Sequence, residues 1–241
     1  MRVPPEGSRR SLAPTLRSWI FDASWAIWTG LFGLTIPIFW VLGSPPRLVR
    51  KASRVWARGV LTLLGAVAGV GYVVRGVSNL PDGPCLIVAN HQSTWETIAA
   101  LALFPEVAII AKRELLRIPV MGWYLRRSPM IIIDRDEAGK ALREMTAQSR
   151  AALADGRSVL IFPEGTRTPV DAPVSFKRGV ELLYRTLGVP VLPVALDAGR
   201  FWPRGSGLKA PGVITVSLLP PIPPGLPAAE FARRAESMIE N

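Results

Sequence analysis

Hydrophobic and polar positions are organised on two different scales along this chain. Residues 23–42 carry no charge and include Trp25, Trp28, Phe32, Phe39 and Trp40; residues 59–74 form a second uncharged run. At about 1.5 Å per residue the first run reaches ~30 Å, the thickness of a bilayer's hydrocarbon core, while the second is short for a span. Between them Gly43-Ser44-Pro45-Pro46 signals a turn, followed by Arg47, Arg50, Lys51, Arg54 and Arg58. Over residues 48–61 the spacing sets Val49, Ala52, Val55, Trp56 and Val60 against those bases, as in an interfacial helix. The length, late start and tryptophan content of the first run argue against a cleavable signal peptide.

Two full spans would put the 47–58 cluster opposite Arg2, Arg9, Arg10 and Arg17, which the bias of Lys and Arg toward one side disfavours. A helical hairpin dipping into one leaflet keeps all of these bases beside the same anionic surface, where each contributes roughly 1 kcal/mol of attraction. That reading is preferred to spanning. A buried helical pair in a soluble protein accommodates the apolar runs but not the clustered bases and tryptophans.

Beyond residue 74 the apolar runs shorten and alternate with helical periodicity. Strands are predicted at 85–89, 107–111, 130–133, 158–162, 191–195 and 213–218, and helices at 94–103, 137–154, 179–187 and 228–239. Short, almost wholly apolar strands separated by helices predict an α/β fold: a mainly parallel mixed sheet covered on both faces. The expected division is a basic, apolar, membrane-associated hairpin over 1–74 and an α/β domain over 75–241. Pro220, Pro221, Pro223, Pro224 and Pro227 mark an extended connector to the last helix.

Charge and composition narrow the partners. The chain has 241 residues, 49% of them hydrophobic, and a formal charge of +11. Residues 1–80 hold ten Lys and Arg against two acids, so the basic excess sits with the most apolar third of the chain. That distribution favours a lipid surface over nucleic acid. A single cysteine, Cys85, and a single histidine, His91, exclude a disulfide framework and a metal centre built from several Cys or His, and no metal is expected.

Two segments carry candidate chemistry. Asn90-His91-Gln92-Ser93-Thr94-Trp95-Glu96 follows a buried strand and enters a helix. Functional groups collect at the carboxyl ends of strands in such sheets. Histidine suits general-base work near neutrality, and a carboxylate can fix its tautomer. On a regular helix, five residues turn ~140°, so His91 and Glu96 meet only if His91 precedes the helix. The same residues also read as a capping box, with Glu96 reaching back to the Ser93 N–H. The second segment is Phe162-Pro163-Glu164-Gly165-Thr166-Arg167, again at a strand end. Its glycine permits close backbone approach, and Arg167 offers a planar fork for phosphate. Lys112, Arg113 and Arg135 also follow strands and can converge with Arg167 on an anion, or stand as solvated surface charges.

Four signatures occur in order over roughly residues 75–200. They are Asn90-His91 with an acid five residues on; Lys112 through Pro119 and Gly122-Trp123 to Ile133-Asp134-Arg135; Phe162 to Arg167; and Val189-Pro190-Val191-Leu192-Pro193-Val194. With these the chain resembles the glycerolipid acyltransferase family typified by bacterial 1-acyl-glycerol-3-phosphate acyltransferase. The resemblance implies a glycerol-3-phosphate-acyltransferase-like fold. It also implies transfer of an acyl group from acyl-CoA or acyl-ACP, as co-substrate without a cofactor, to a lysophosphatidate acceptor, giving phosphatidic acid. His91 would be the base and Glu96 its orienting acid. Arg135, Glu164, Thr166 and Arg167 would hold the acceptor, while Lys112 and backbone N–H groups near Gly165 would meet the developing oxyanion. The cytoplasmic face of a bacterial inner membrane is the implied location. In two places the chain departs from the family: Glu96 stands where Asp is usual, and Ile131 and Ile132 stand where a Phe is usual. Another lyso-acceptor, such as a lyso-ornithine lipid, and a non-catalytic membrane scaffold are the competing readings.

Overall fold

The structure is a computed structural model that describes residues 12–134 and 138–240. Arg135, proposed from the sequence to hold the acceptor, lies outside the described residues, as do Arg2, Arg9 and Arg10.

Seven strands form one sheet: β1 (Val70–Arg75), β2 (Leu86–Ala89), β3 (Val107–Lys112), β4 (Ile131–Ile133), β5 (Ser158–Ile161), β6 (Val191–Leu196) and β7 (Gly212–Leu218). Their spatial order is β1-β7-β6-β2-β5-β3-β4. All neighbours pair in parallel except β6 with β7. The apolar character of the central strands has a direct cause. Ile87, Leu160, Leu192 and Val194 face one cluster, while Leu86, Val88, Val159 and Val191 face another, so both faces of these strands are covered. Burying each such side chain contributes about 1.5–3 kcal/mol. Helices α6 (Ala138–Ala154), α7 (Arg178–Leu187) and α8 (Ala228–Glu240) cover the second face.

The N-terminal helices cover the other face. They are α1 (Leu12–Gly33), α2 (Ile36–Val41) and α3 (Pro46–Leu63), joined to the sheet by a π-helical turn at Leu64–Ala68. The hairpin expected from sequence is present, with two corrections. The uncharged run 59–74 is not helical throughout: the chain turns at Gly69, and residues 70–75 become β1, pairing with β7. Gly71-Tyr72-Val73-Val74 is β-branched and aromatic, which favours a strand at a sheet edge. Residues 70–74, assigned by sequence to the hairpin, therefore belong to the sheet. The buried face of α3 also differs from the expected one, since Val55 is 55% exposed and Arg50 only 6%. Arg50 tolerates burial because its Nε donates to Glu106 Oε2 at 2.7 Å.

Phe21, Ala57, Val60, Leu61 and Leu64 share one core cluster with Ile87, Trp95 and Leu160, so the hairpin and the sheet are packed as one unit. Two indoles lock α1 to α3: Trp28 Nε1 donates to the Trp56 carbonyl at 3.0 Å, and Trp56 Nε1 to Thr29 Oγ1 at 3.1 Å. A Cβ at Gly59 would sit 2.5 Å from the Trp28 ring, so only glycine permits that approach. Further along, Lys209 is buried between Phe21 and Trp202 and binds Asp22, fastening α1 to the loop after β6.

The outer side of α1 and α2 is unlike that of a soluble helix. Leu16, Ile20, Ile27, Leu31, Leu34, Ile38 and Val41 recur at helical spacing and are all exposed. The stretch Pro14–Val41 is long and apolar enough to cross a membrane.

Candidate active site

Strands β6, β2 and β5 lie side by side, so the segments leaving their carboxyl ends meet. Asn90, just after β2, ties them together: its Nδ2 donates to the Leu196 carbonyl at 2.8 Å and its Oδ1 accepts from the Leu196 N–H at 2.9 Å. The chain then crosses to α4 (Trp95–Leu103) through residues 91–94. His91 precedes the helix and Glu96 lies in its first turn, the arrangement their spacing requires.

Glu96 is 2% exposed. Its Oε1 accepts from His91 Nδ1 at 2.9 Å and from the backbone N–H groups of Gln92 and Ser93, each at 2.6 Å. The contacts that the capping reading and the orienting reading each require are thus made by one and the same oxygen. Ser93 Oγ in turn accepts from the Trp95 N–H at 3.1 Å. With Nδ1–H committed to a carboxylate, the Nε2 lone pair is left to take a proton. The imidazole remains 17% exposed, enough for an incoming hydroxyl to reach it.

The turn after β5 holds His91 from below. Gly165 N–H donates to the Phe162 carbonyl at 3.1 Å, with Gly165 at φ 68°, a left-handed conformation suited to glycine. Glu164 is buried, and its Oε1 accepts from the His91 N–H at 3.1 Å. Thr168 donates from N–H, at 2.8 Å, and from Oγ1, at 3.2 Å, to the His91 carbonyl. Burial is the main cause that raises the Glu164 carboxyl above the ordinary carboxylate range, and the neighbouring Glu96 adds to it. Hydrogen bonds from its own backbone and from His91, and the His91 charge, oppose the rise.

Arg167 Nη1 donates to Thr94 Oγ1 at 2.9 Å, setting the guanidinium beside the segment that carries His91. Arg204, from the loop after β6, donates to the Arg167 carbonyl at 2.9 Å. The structure therefore gathers His91, Glu96, Glu164, Gly165, Thr166 and Arg167 onto the adjoining ends of β2 and β5. Lys112 is exposed at the end of β3, on the opposite side of β5 from β2. Its neighbour Arg113 pairs with Asp134 at 3.2 Å. Sequence reasoning did not single out Thr168, Gln92 or Arg204. Thr168 adjoins a motif already recognised, whereas Arg204 lies in a loop with no local signal.

The Acyltransferase family model matches residues 72–197. The chain belongs to the acyltransferase family. It is 41% identical over 192 residues to the 1-acyl-sn-glycerol-3-phosphate acyltransferase of Pseudomonas aeruginosa, covering 77% of this chain and 74% of that one. It is 31% identical over 158 residues to the mouse 1-acyl-sn-glycerol-3-phosphate acyltransferase alpha, covering 64% of this chain and 55% of that one. The crystal structure of the Thermotoga maritima 1-acyl-sn-glycerophosphate (LPA) acyltransferase, PlsC, superposes with a TM-score of 0.78 at 27% identity, covering 94% of this chain and 95% of that one. This acyltransferase has the PlsC-like fold, helical N-terminal segment included.

Proposed function

We propose that the protein transfers an acyl group from an acyl thioester, acyl-ACP or acyl-CoA, to the free hydroxyl of 1-acyl-glycerol-3-phosphate, giving phosphatidic acid. The observation that carries this reading is the His91–Glu96 pair, with Arg167 held on Thr94 next to it. His91 Nε2 takes the hydroxyl proton as the oxygen attacks the thioester carbonyl carbon. Glu96 holds the ring in the Nδ1–H tautomer and stabilises the imidazolium that forms. The tetrahedral oxyanion then collapses, the C–S bond breaks, and the imidazolium returns the proton to the departing thiolate. The nucleophile belongs to the acceptor, so the buried Cys85 takes no part.

Arg167, with Lys112 at the end of the adjacent strand β3, supplies positive charge for the acceptor phosphate and the developing oxyanion, and the family resemblance alone assigns Arg135 to the same group. An apolar cleft lies between the hairpin and α5 (Met121–Arg127), lined by Phe32, Trp56, Leu101, Val120, Tyr124 and Leu125. Such a lining suits hydrocarbon and fits a lipid substrate.

The protein is membrane-associated, with the exposed stripe of α1 and α2 lying in one leaflet. The inner face of α1 is occupied: Phe21 and Trp25 pack on Trp202, and Phe32 on Tyr124. Crossing the bilayer would strip these contacts, whereas lying at the interface keeps them and immerses the outer stripe. We place the site at the cytoplasmic face of a bacterial inner membrane, where an acyl-ACP or acyl-CoA donor is met.

A panel of lyso-acceptors with each donor class tests the reading. Phosphatidic acid formed from lysophosphatidate at the highest kcat/KM supports it; a preferred acceptor without phosphate overturns it.

A further inference from the structure

The ring of Phe162 lies against the imidazole of His91, centroid to centroid 4.1 Å, with the two planes 18° apart. The rest of the Phe162 side chain packs on the core cluster that contains Trp95 and Leu160, so the ring is backed by close-packed side chains. His91 is thereby fixed in three ways: Glu96 takes its Nδ1–H, the turn after β5 takes its backbone N–H and carbonyl, and Phe162 sets the plane of its ring.

We propose that Phe162 is a positioning residue for acyl transfer, its ring face aligning the His91 imidazole and favouring the imidazolium that forms as the acceptor hydroxyl is deprotonated. The proposal rests on His91 being the general base. A hydrogen bond at Nδ1 leaves the imidazole free to rock about that contact, and a flat partner at stacking distance removes that freedom. The second effect is electrostatic. A phenyl face carries negative quadrupole charge, so it attracts a cationic ring more than a neutral one. Because the imidazole becomes charged only as the reaction proceeds, the attraction is greater in the transition state than in the ground state, the condition for it to raise kcat. Glu96 and Glu164 approach the same histidine from α4 and from the turn after β5, and Arg167 stands beyond Thr94. Phe162 is the uncharged member of this group, acting through shape and quadrupole.

The test uses the full chain in detergent micelles, expressed without an added polyhistidine tag. His91 is then the sole histidine, and its carbon-bound ring protons need no assignment. In the wild type, stacking places the imidazole Cε1–H resonance upfield of its position in free histidine. A resonance at the free-histidine position removes the stack, and the proposal with it, whether or not any variant folds. Phe162→Leu retains apolar bulk without the π face, and Phe162→Tyr retains the ring. The expected result for Phe162→Leu is a kcat lower by roughly 3- to 30-fold, corresponding to the strength of a cation–π contact. The acceptor KM stays within about twofold, and the Cε1–H signal moves downfield. Phe162→Tyr recovers most of the rate and the upfield position. An unchanged kcat in Phe162→Leu, or an equal loss in Phe162→Tyr, overturns the assignment. Full activity in His91→Ala would instead overturn the base assignment while the wild-type spectrum still reports the Phe162 ring contact, so the two failures are told apart.

Discussion

Arg50 on α3 and Glu106 at the start of β3 are joined at 2.7 Å, side chain to side chain, at the end of the sheet opposite the site. Arg50 also approaches Asp155 at 4.0 Å, and Arg54 approaches Glu106 at 3.6 Å. This polar junction, together with the shared core cluster, makes the hairpin part of the folded unit. Arg157 stands nearby, donating to the carbonyls of Val107, Ser128 and Pro129; burial, with the neighbouring Arg50 charge second, lowers its affinity for a proton. Removing Arg50 leaves Glu106 free to turn to solvent, so the cost is that of a lost charge-assisted bond more than of a stranded charge. Arg50→Met is expected to lower stability by about 1–3 kcal/mol in thermal unfolding, with kcat nearly unchanged at low temperature because the site lies at the other end of the strands. An unaltered melting temperature would contradict the junction.

Deleting residues 1–74 would remove most of β1 and about a quarter of the buried residues of one core cluster, so the role of the hairpin is better read from its outer face. Replacing Ile20, Ile27, Leu31 and Leu34 together with Ser removes exposed apolar groups and touches no core cluster. Partition onto anionic vesicles is expected to fall more than about tenfold, at ~0.8 kcal/mol per methylene withdrawn, while thermal unfolding in detergent stays close to wild type. Sedimentation with vesicles checks this, and undiminished binding would refute the interfacial placement.

Glu96→Asp tests the reach of the acid. Oε1 serves one imidazole and two backbone donors at once. Shortening the side chain by one methylene withdraws the carboxylate by about 1.5 Å from this three-way contact. Misplacement on that scale costs ~10- to 100-fold in kcat. Steady-state rates at saturating acceptor measure it; a rate equal to wild type would mean that the turn adjusts freely.

The raised Glu164 carboxyl predicts a pH-dependent stability. Between the ordinary carboxylate value, about 4.3, and its elevated value in the fold, the folded state holds more protons than the unfolded state. Stability therefore falls as pH rises through that window, and the deficit persists above it. Glu164→Gln removes the titration. The melting temperature of the variant minus that of wild type is expected to grow from pH 4 to pH 7; a constant difference would contradict the shift.

Much of this was legible in the chain itself. The runs at 85–89, 158–162 and 191–195 signal buried parallel strands because both of their faces are covered, and the segment Phe162 to Arg167 lies at the candidate site. Residues 70–75 do not stand out as a strand because an uncharged run does not distinguish a helix from an edge strand that follows it, even though Gly69, Gly71 and the β-branched residues hold the signal. Arg50 reads as a polar-face residue from local spacing because its burial depends on Glu106, fifty-six positions later. The double use of Glu96 could be posed from spacing but not resolved, because it depends on the entry angle of α4. The stack of Phe162 on His91 arises from the adjacency of β2 and β5, which no local pattern encodes.

The central claim is that His91 accepts the hydroxyl proton. Its most direct test is the rate of phosphatidic acid formation by wild type and His91→Ala, both purified in detergent with lysophosphatidate and an acyl thioester. A loss of about 10²- to 10⁴-fold with the melting temperature retained is the predicted result; an unchanged rate in a folded His91→Ala protein would contradict it.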